Sequence, residues 1–514
     1  MPFVPRICVS LMPDSPLQLK KWLPECMEAD LVELRLDRWS SETIREFFTA
    51  KNSGWQEARR LFPGEFIVTI RSVGQGGYWK EDNDLQTELL RLAIQSGADY
   101  VDVEWEEGVS PTSNNLQKFP QDKVILSHHA PEYIDPKHLL LEMCRLKPAV
   151  CKLVFPAQSI REAAIPVNLL NTFSRENRAL IIHASGEAGS PSRLVGAVRG
   201  NAWTYVALSP SRATASGQLT LQEALEAYYL KEKSPNTRIV GLVGHPLRQS
   251  KGWKLHNRLM HQKREESEQD MSQTSDFLYL NFPTRDFAEF WDAWQSHLFG
   301  LSVTIPFKEE AIRYASRHSA AVTKSGVCNT LIQRNGEWWA FNTDFLALLE
   351  LLSPYRKQLQ QGLIVVGTGA TARTALTVAR ELEIEPLYLV GRNENRLEKL
   401  SKLSGAIPYH FSRLPSLSVS GMVQTTPLGM WPDTETAPPV FHLFRKGMVV
   451  LDVVYNPPET RLLKRAREAG CLTISGQEMF IRQAAHQFRM FSGRDVTHQE
   501  VARVYQHILQ EGEE

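Results

Sequence analysis

Leu31-Val32-Glu33-Leu34-Arg35-Leu36-Asp37 reads as one strand with two unlike faces. Successive side chains on a strand point to opposite sides, so Glu33, Arg35 and Asp37 share one face and Val32, Leu34 and Leu36 the other. Similar short apolar runs recur at 7–12, 66–71, 100–105, 124–129, 150–155, 180–184 and 204–208. Amphipathic, helix-sized stretches such as 85–94, 136–144 and 219–230 lie between them. Eight strands, each followed by a helix, is the arithmetic of a (β/α)8 TIM barrel, and no internal repeat points to a solenoid. In a barrel the apolar face packs on the helices and the charged face looks inward. Burying Glu33 and Arg35 where Val or Leu would serve is energetically poor, so the interior reads as a polar-ligand site. The same parity turns Thr69 and Arg71 of the third strand and Lys152 of the sixth inward, and Ser127 and His129 close the fifth. His128 falls on the opposite face from His129 and reads as packing or surface. His183 reads as structural.

The chain has 514 residues, too many for one core, so two domains are expected. Lys+Arg and Asp+Glu both number 58, and this balance offers no electrostatic footprint for nucleic acid or an acidic membrane. No apolar run reaches membrane-spanning length, and the opening MPFVPRICVSLM lacks a signal or transit layout. Six scattered cysteines without a C-x-x-C pair read as reduced, buried thiols of a cytoplasmic protein, with no metal site.

With the segment ELRLDRW stand Arg71, the Ser127-His128-His129 run, Lys152, Ser192-Arg193 and Ser216-Gly217-Gln218. Together they resemble type I 3-dehydroquinate dehydratases over roughly residues 5–230. The resemblance implies a Schiff base between Lys152 and the C3 carbonyl of 3-dehydroquinate, with loss of water to give 3-dehydroshikimate. Such a step needs a neutral amine, which desolvation beside arginine cations is expected to supply. His129 is implied as general base and acid, and Glu33, Arg35, Arg71, Arg193 and Gln218 as substrate-binding residues. Gln75 departs from the family pattern, which has a glutamate there; Asp102 or Glu104 is the candidate to compensate.

The first domain should end with a helix through Tyr229, followed by the polar linker 231–237 and a new strand at 238–243. The run from Lys263 to Asp270 lacks apolar periodicity and reads as an exposed loop or helix extension. Downstream, Gly362-Leu-Ile-Val-Val-Gly367-Thr-Gly369-Ala370-Thr-Ala372 is a buried strand entering a helix at about 370–379. Gly367 permits the tight turn, Gly369 lets backbone approach a pyrophosphate at Ala370, and Ala372 packs helix on strand. The next strand, 387–390, ends in Gly391-Arg392-Asn393, where Arg392, with Arg396, suits a 2′-phosphate and therefore NADP.

Gly244-His245-Pro246 through Ser250, Val303-Thr304-Ile305-Pro306-Phe307-Lys308, Asn329, Asn342-Thr343-Asp344, Thr426-Pro427-Leu428-Gly429-Met430 and Tyr455-Asn456-Pro457 with Gln483 complete the pattern. They resemble shikimate dehydrogenases over roughly 238–514. This implies Lys308 and Asp344 as the catalytic pair, and Ser250, Thr304, Asn329, Tyr455 and Gln483 as ligands of the substrate carboxylate and hydroxyls.

The expected fold is therefore α/β: a TIM barrel over 1–232, then a two-lobed dehydrogenase. Its parts are a substrate lobe (238–345), an NADP-binding Rossmann lobe (346–475) and C-terminal helices (476–514) returning to the substrate lobe. The expected activity is dehydration of 3-dehydroquinate followed by NADPH-dependent reduction of 3-dehydroshikimate to shikimate, by a monomer or homodimer without nucleic-acid or membrane partners. Gly252 stands where the family carries a second serine, which leaves quinate as an alternative alcohol; Gln424 replaces an asparagine. A ligand-sensing regulator is the other alternative, and the intact Lys152, His129, Lys308 and Asp344 argue against it.

Overall fold

The computed structural model describes residues 3–50, 53–105, 115–173, 178–215, 217–247, 250–266 and 276–511. Ser216 and most of the polar run after Glu266 therefore lie outside the described residues. The chain divides into two units, Met1–Ile239 with Asp276–His297, and Val240–Ser275 with Leu298–Glu514.

The first unit carries β1 (Ile7–Leu11), β2 (Leu31–Arg35), β3 (Glu65–Thr69), β4 (Tyr100–Glu104), β5 (Val124–His129), β6 (Val150–Pro156), β7 (Leu180–Ser185) and β8 (Thr204–Val206). They pair in parallel in the order β7-β6-β5-β4-β3-β2-β1-β8. A bridge from Leu180 to Asn201, with the Ala202 amide donating to the Leu180 carbonyl at 2.7 Å, closes the seam between β7 and β8. The result is a (β/α)8 barrel. Its helices start where capping side chains satisfy free amides, as at Ser15, Ser40, Asp82 and Asp135.

Cys8, Leu31, Ile67, Ile125, Val150, Ile181 and Trp203 pack together inside the barrel as an apolar floor. Two residues further along each strand the side chains face the same way. That step brings Ser10, Glu33, Thr69, Ser127, Lys152, His183 and Tyr205 into the next layer. The alternation of the sequence thus delivers polar groups onto an apolar base.

The expected linker is anchored within this unit. Lys233 is buried, with its ammonium 2.9 Å from Asp276 Oδ1, and Thr237 Oγ1 donates to Asp276 Oδ2 at 2.8 Å. β10 (Phe277–Pro283) and the helix Phe287–Trp294 group with the barrel, where the Trp294 indole donates to the Ile160 carbonyl at 2.8 Å. Large apolar side chains on that helix (Phe287, Phe290, Trp291, Trp294) need a partner surface, a demand that periodicity alone does not assign to one domain or the other.

In the second unit, β9 (Arg238–Gly244) pairs in parallel with β11 (Gly300–Val303). β11 runs antiparallel to β13 (Thr330–Arg334), and β13 antiparallel to β14 (Glu337–Phe341), which pairs in parallel with β12 (Arg317–His318). A second sheet holds β15 (Leu363–Val366), β16 (Leu387–Gly391), β17 (Ile407–His410), β18 (Gly421–Gln424), β19 (Val449–Asp452) and β20 (Leu472–Ile474). All its pairs are parallel, in the order β17-β16-β15-β18-β19-β20. This is the doubly wound Rossmann order, whose ligands sit where the winding reverses, at the carboxyl ends of the two central strands. Both faces are covered: Leu363, Val365, Leu389, Val423 and Leu451 enter one core, and Ile364, Val366, Val390, Met422 and Val450 the other.

Capping boxes at Ser475/Glu478 and Thr497/Glu500 open the last helices, Gly476–Ser492 and His498–Gln510. Gln487 of the first reaches back to the mixed sheet, accepting from Ser302 Oγ at 3.1 Å and donating to Thr330 Oγ1 at 2.9 Å. No helix among the described residues is long and apolar enough to cross a membrane.

Candidate functional site

The polar layer of the barrel converges on Lys152. Its ammonium lies 3.2 Å from Asp102 Oδ2, 3.5 Å from Glu33 Oε1 and 4.0 Å from the centre of the Tyr205 ring. Glu33 is held by Ser10 Oγ and by Thr69 Oγ1 at 3.0 Å, and Asp102 by Ser127 Oγ at 2.5 Å. The expectation that arginines crowd Lys152 is corrected by their pairing. Arg35 forks onto Asp37 at 2.8 and 3.0 Å, and Arg71 reaches Asp102 at 3.2 Å. Carboxylates, which a buried ammonium requires as counter-charges, are its neighbours instead.

Arg71 also approaches His129 Nδ1 at 2.5 Å. Removal from water, then the charges of Arg71, Lys152 and Arg35, hold the His129 imidazole well below its ordinary value of 6.5. Despite burial, Arg71 and Lys152 keep Asp102 below the usual carboxylate range, and Lys152 and Arg35 do the same for Glu33. Burial pushes Glu104 up, against the pull of Arg71 3.8 Å away. Gln75 does not face the imidazole as a charge: its Oε1 accepts from the His129 amide at 3.2 Å, and its Nε2 donates to the Trp105 carbonyl. His128 turns to that same carbonyl at 3.2 Å.

Arg193 is buried in the helix Gly186–Arg199, donates to the Tyr205 carbonyl at 3.3 Å, and is drawn down to about 10 by burial. Gln218 accepts from the amide and hydroxyl of Thr214, which itself bonds Ser10 Oγ at 3.2 Å. Burial, then Arg193 and Lys152, depress His183, so this histidine lies within the same charged interior.

In the second unit Lys308, in the turn after β11, meets Asp344 Oδ2 at 2.6 Å. Asp344 sits in the first turn of the helix Thr343–Leu352, capped by Asn342, whose amide also donates to Ser325 and Thr374. Asn329 Oδ1 accepts from the Thr343 amide at 2.7 Å, and Thr343 Oγ1 lies 3.4 Å from Gln483 Oε1. Asn329, Lys308, Asp344 and Gln483 are thus linked through one helix start. Tyr455 stacks on Phe480, ring centres 5.0 Å apart, and loss of water keeps its phenol above the ordinary value. Thr304 closes against Gly244: a Cβ there would meet Thr304 Cγ2 at 2.4 Å. Ser250 Oγ accepts from the Gly252 amide at 3.3 Å.

At the reversal point of the Rossmann sheet, Gly367 has φ +121°, and a Cβ would strike Thr425 Oγ1 at 2.3 Å. A Cβ on Gly369 would meet nothing within 4 Å, and no side chain caps the helix Ala370–Glu381 that starts there. Open space before uncapped helix amides is the cradle a pyrophosphate fits. Ala372 is buried against the sheet. Arg392 and Arg396 are exposed beyond β16, and Asn393 spends its side chain capping the helix Glu394–Ser404. Gln424, fully buried, accepts from the Thr426 amide and donates to the Thr426 and Leu428 carbonyls, bracing the turn beside Gly367.

The type I 3-dehydroquinase family matches residues 7–235, and the shikimate dehydrogenase substrate binding domain matches residues 242–331. The chain thus joins a type I 3-dehydroquinase domain to a shikimate dehydrogenase substrate binding domain. The bifunctional 3-dehydroquinate dehydratase/shikimate dehydrogenase, chloroplastic, of Arabidopsis thaliana is 28% identical over 519 residues, covering 95% of this chain and 82% of that protein. A shikimate dehydrogenase (NADP(+)) of Halothermothrix orenii is 29% identical over 276 residues, 50% of this chain and 92% of its own. Among solved structures, dehydroquinate dehydratase and shikimate dehydrogenase from S. pombe AroM covers 99% of this chain and 98% of its own, at 21% identity and a TM-score of 0.41.

Sequence reading of the dehydroquinase unit left out Ser10, Thr214 and Tyr205, and left Asp102 unassigned. Strand parity carried the signal for Asp102, two residues beyond Tyr100, but its partner Lys152 lies 50 positions away. In the dehydrogenase unit Gln487 was missed; it lies four residues, about one helical turn, beyond Gln483.

Proposed function

We propose that Lys152 and His129 carry the first of two consecutive reactions and Lys308 with Asp344 the second. The chain is a bifunctional enzyme of the shikimate pathway, converting 3-dehydroquinate to 3-dehydroshikimate and reducing that product to shikimate with NADPH. The observation supporting the first assignment is an ammonium buried in a barrel among two carboxylates, with an imidazole linked to it through Arg71 and Asp102.

Attack by Lys152 Nζ on the C3 carbonyl requires the free amine, and Asp102 stands within reach to accept the departing proton. Loss of the carbonyl oxygen as water leaves an imine on Nζ, which draws electrons from C2. His129, kept neutral by its surroundings, takes the C2 proton and returns one to the leaving hydroxyl, and water then hydrolyses the imine to release 3-dehydroshikimate and the Lys152 amine. Arg71 now donates toward Nδ1, so this role requires Arg71 to turn to the substrate carboxylate, which a two-point fork suits. Arg35, Arg193, Glu33 and Gln218 fix the remaining polar groups.

In the second unit the chemistry that NADPH would supply when bound is hydride for the C3 carbonyl carbon. Lys308 gives a proton to the carbonyl oxygen, and Asp344, 2.6 Å away, orients the ammonium. Thr304, Ser250, Asn329, Tyr455 and Gln483 bind carboxylate and hydroxyls; Gly367, Gly369 and Ala370 would hold the pyrophosphate of NADPH, with Ala372 packing that helix on the sheet, and Arg392, with Arg396 and Asn393, would hold its 2′-phosphate. Six buried thiols, none in a disulfide, fit a reducing compartment such as the cytoplasm.

The test supplies 3-dehydroquinate and NADPH and follows cofactor absorbance. Lys152→Ala should stop oxidation from 3-dehydroquinate yet preserve it from 3-dehydroshikimate, and Lys308→Ala should suppress both. Turnover of 3-dehydroquinate by Lys152→Ala would overturn the first assignment.

A further inference from the structure

Three helices, Thr343–Leu352, Gly476–Ser492 and His498–Gln510, bring together Glu350, His486 and His498, one residue from each. Their ligand-capable atoms all lie within 4.8 Å of one another. Glu350 Oε1 is 2.8 Å from His486 Nε2, and its Oε2 is 3.5 Å from His498 Nε2. His498 Nε2 is shielded from water and makes no hydrogen bond among the described residues, its carboxylate neighbour standing at ion-pair distance only.

Two imidazoles and one carboxylate form a donor set of intermediate softness. It suits zinc and its first-row neighbours, whereas magnesium and calcium prefer oxygen alone. Donors around tetrahedral zinc sit roughly 3.3 Å apart, given bonds of about 2.0–2.1 Å. The two carboxylate–imidazole distances, one to each oxygen of Glu350, lie on either side of that spacing, and one ligand atom from each residue lies within 4.8 Å of the other two. We propose that Glu350, His486 and His498 bind one divalent transition-metal ion of the zinc class, with water completing its shell. Arg482, 3.9 Å from Glu350 Oε2 and 3.6 Å from Glu478, opposes the ion with its charge. The bound ion would tie the helix bearing Asp344 to the helix bearing Gln483, though binding itself stands apart from the reductase reading.

The test strips the full-length protein with a chelator, titrates it with Zn2+ by calorimetry, and records visible spectra with Co2+. One ion per chain is expected. Glu350→Gln, His486→Gln and His498→Gln should each weaken binding at least tenfold, and Arg482→Ala, which removes only the opposing charge, should tighten it. If His486→Gln fails to fold, His498→Gln and X-ray absorption showing two imidazoles decide in its place. Absence of Zn2+ binding, affinity indifferent to all the variants, or a thiolate band in the Co2+ spectrum would each overturn the site.

Discussion

Lys152 shares its burial with two carboxylates, so its substitution tests more than chemistry. Removing one partner of a buried charge cluster typically costs about 3–5 kcal/mol, because the remaining charges lose compensation. Lys152→Met should therefore abolish dehydration and lower the stability of the barrel unit in urea by a few kcal/mol. Adding Asp102→Asn should recover part of that loss but none of the activity. Trapping by borohydride with 3-dehydroquinate should add mass at Lys152 in the wild type and at no residue in the variant. His129 offers a second measurement. Its pKa lies below 6.5, so the acid limb of kcat/KM for dehydration should fall well under pH 6.5. Arg71→Gln removes a cation that disfavours the imidazolium, and should move that limb upward.

Asp452 gives the opposite sign. It is fully buried, bonded to Thr460 Oγ1 and the Val454 amide, and burial raises it from 3.8 to about 6. The folded state holds this proton more tightly than the unfolded chain. Its stabilising contribution is thus complete below about pH 4, declines as pH rises to about 6, and is gone above, a change of roughly 3 kcal/mol. Asp452→Asn should flatten that decline in the second unit's unfolding free energy measured across the same interval.

At the scale of elements, the turns after strands carry the precision. A Cβ on Gly77 would meet the Arg71 carbonyl at 2.1 Å, so the turn returning after β3 can pass only as glycine. Gly77→Ala should displace Arg71 and lower dehydration kcat/KM by about ten- to a hundredfold, a misplacement effect, while reduction is unchanged. Gly367→Ala is its counterpart: strained at φ +121° and blocked by Thr425, it should weaken NADPH binding and spare dehydration. Steady-state kinetics of both reactions on each variant separates the two. Strand parity made the inward faces of β2, β3 and β6 legible, because period-two alternation survives any packing. The polar cradle of Gln424 was not legible, since the residue type says nothing about the backbone turn it must satisfy.

For the whole molecule, the barrel and the presence of a Rossmann lobe were readable from short-range signals: apolar runs at regular spacing, and a glycine turn between strand and helix. The partners of Lys152, the cluster of Glu350, His486 and His498, and the grouping of Asp276–His297 with the barrel were not. Local alternation and turn chemistry depend on neighbours within a few residues, and these the chain specifies directly. Which carboxylate faces which amine, and which histidines from separate helices meet, depend on contacts between distant segments whose distances are set only when the cores pack.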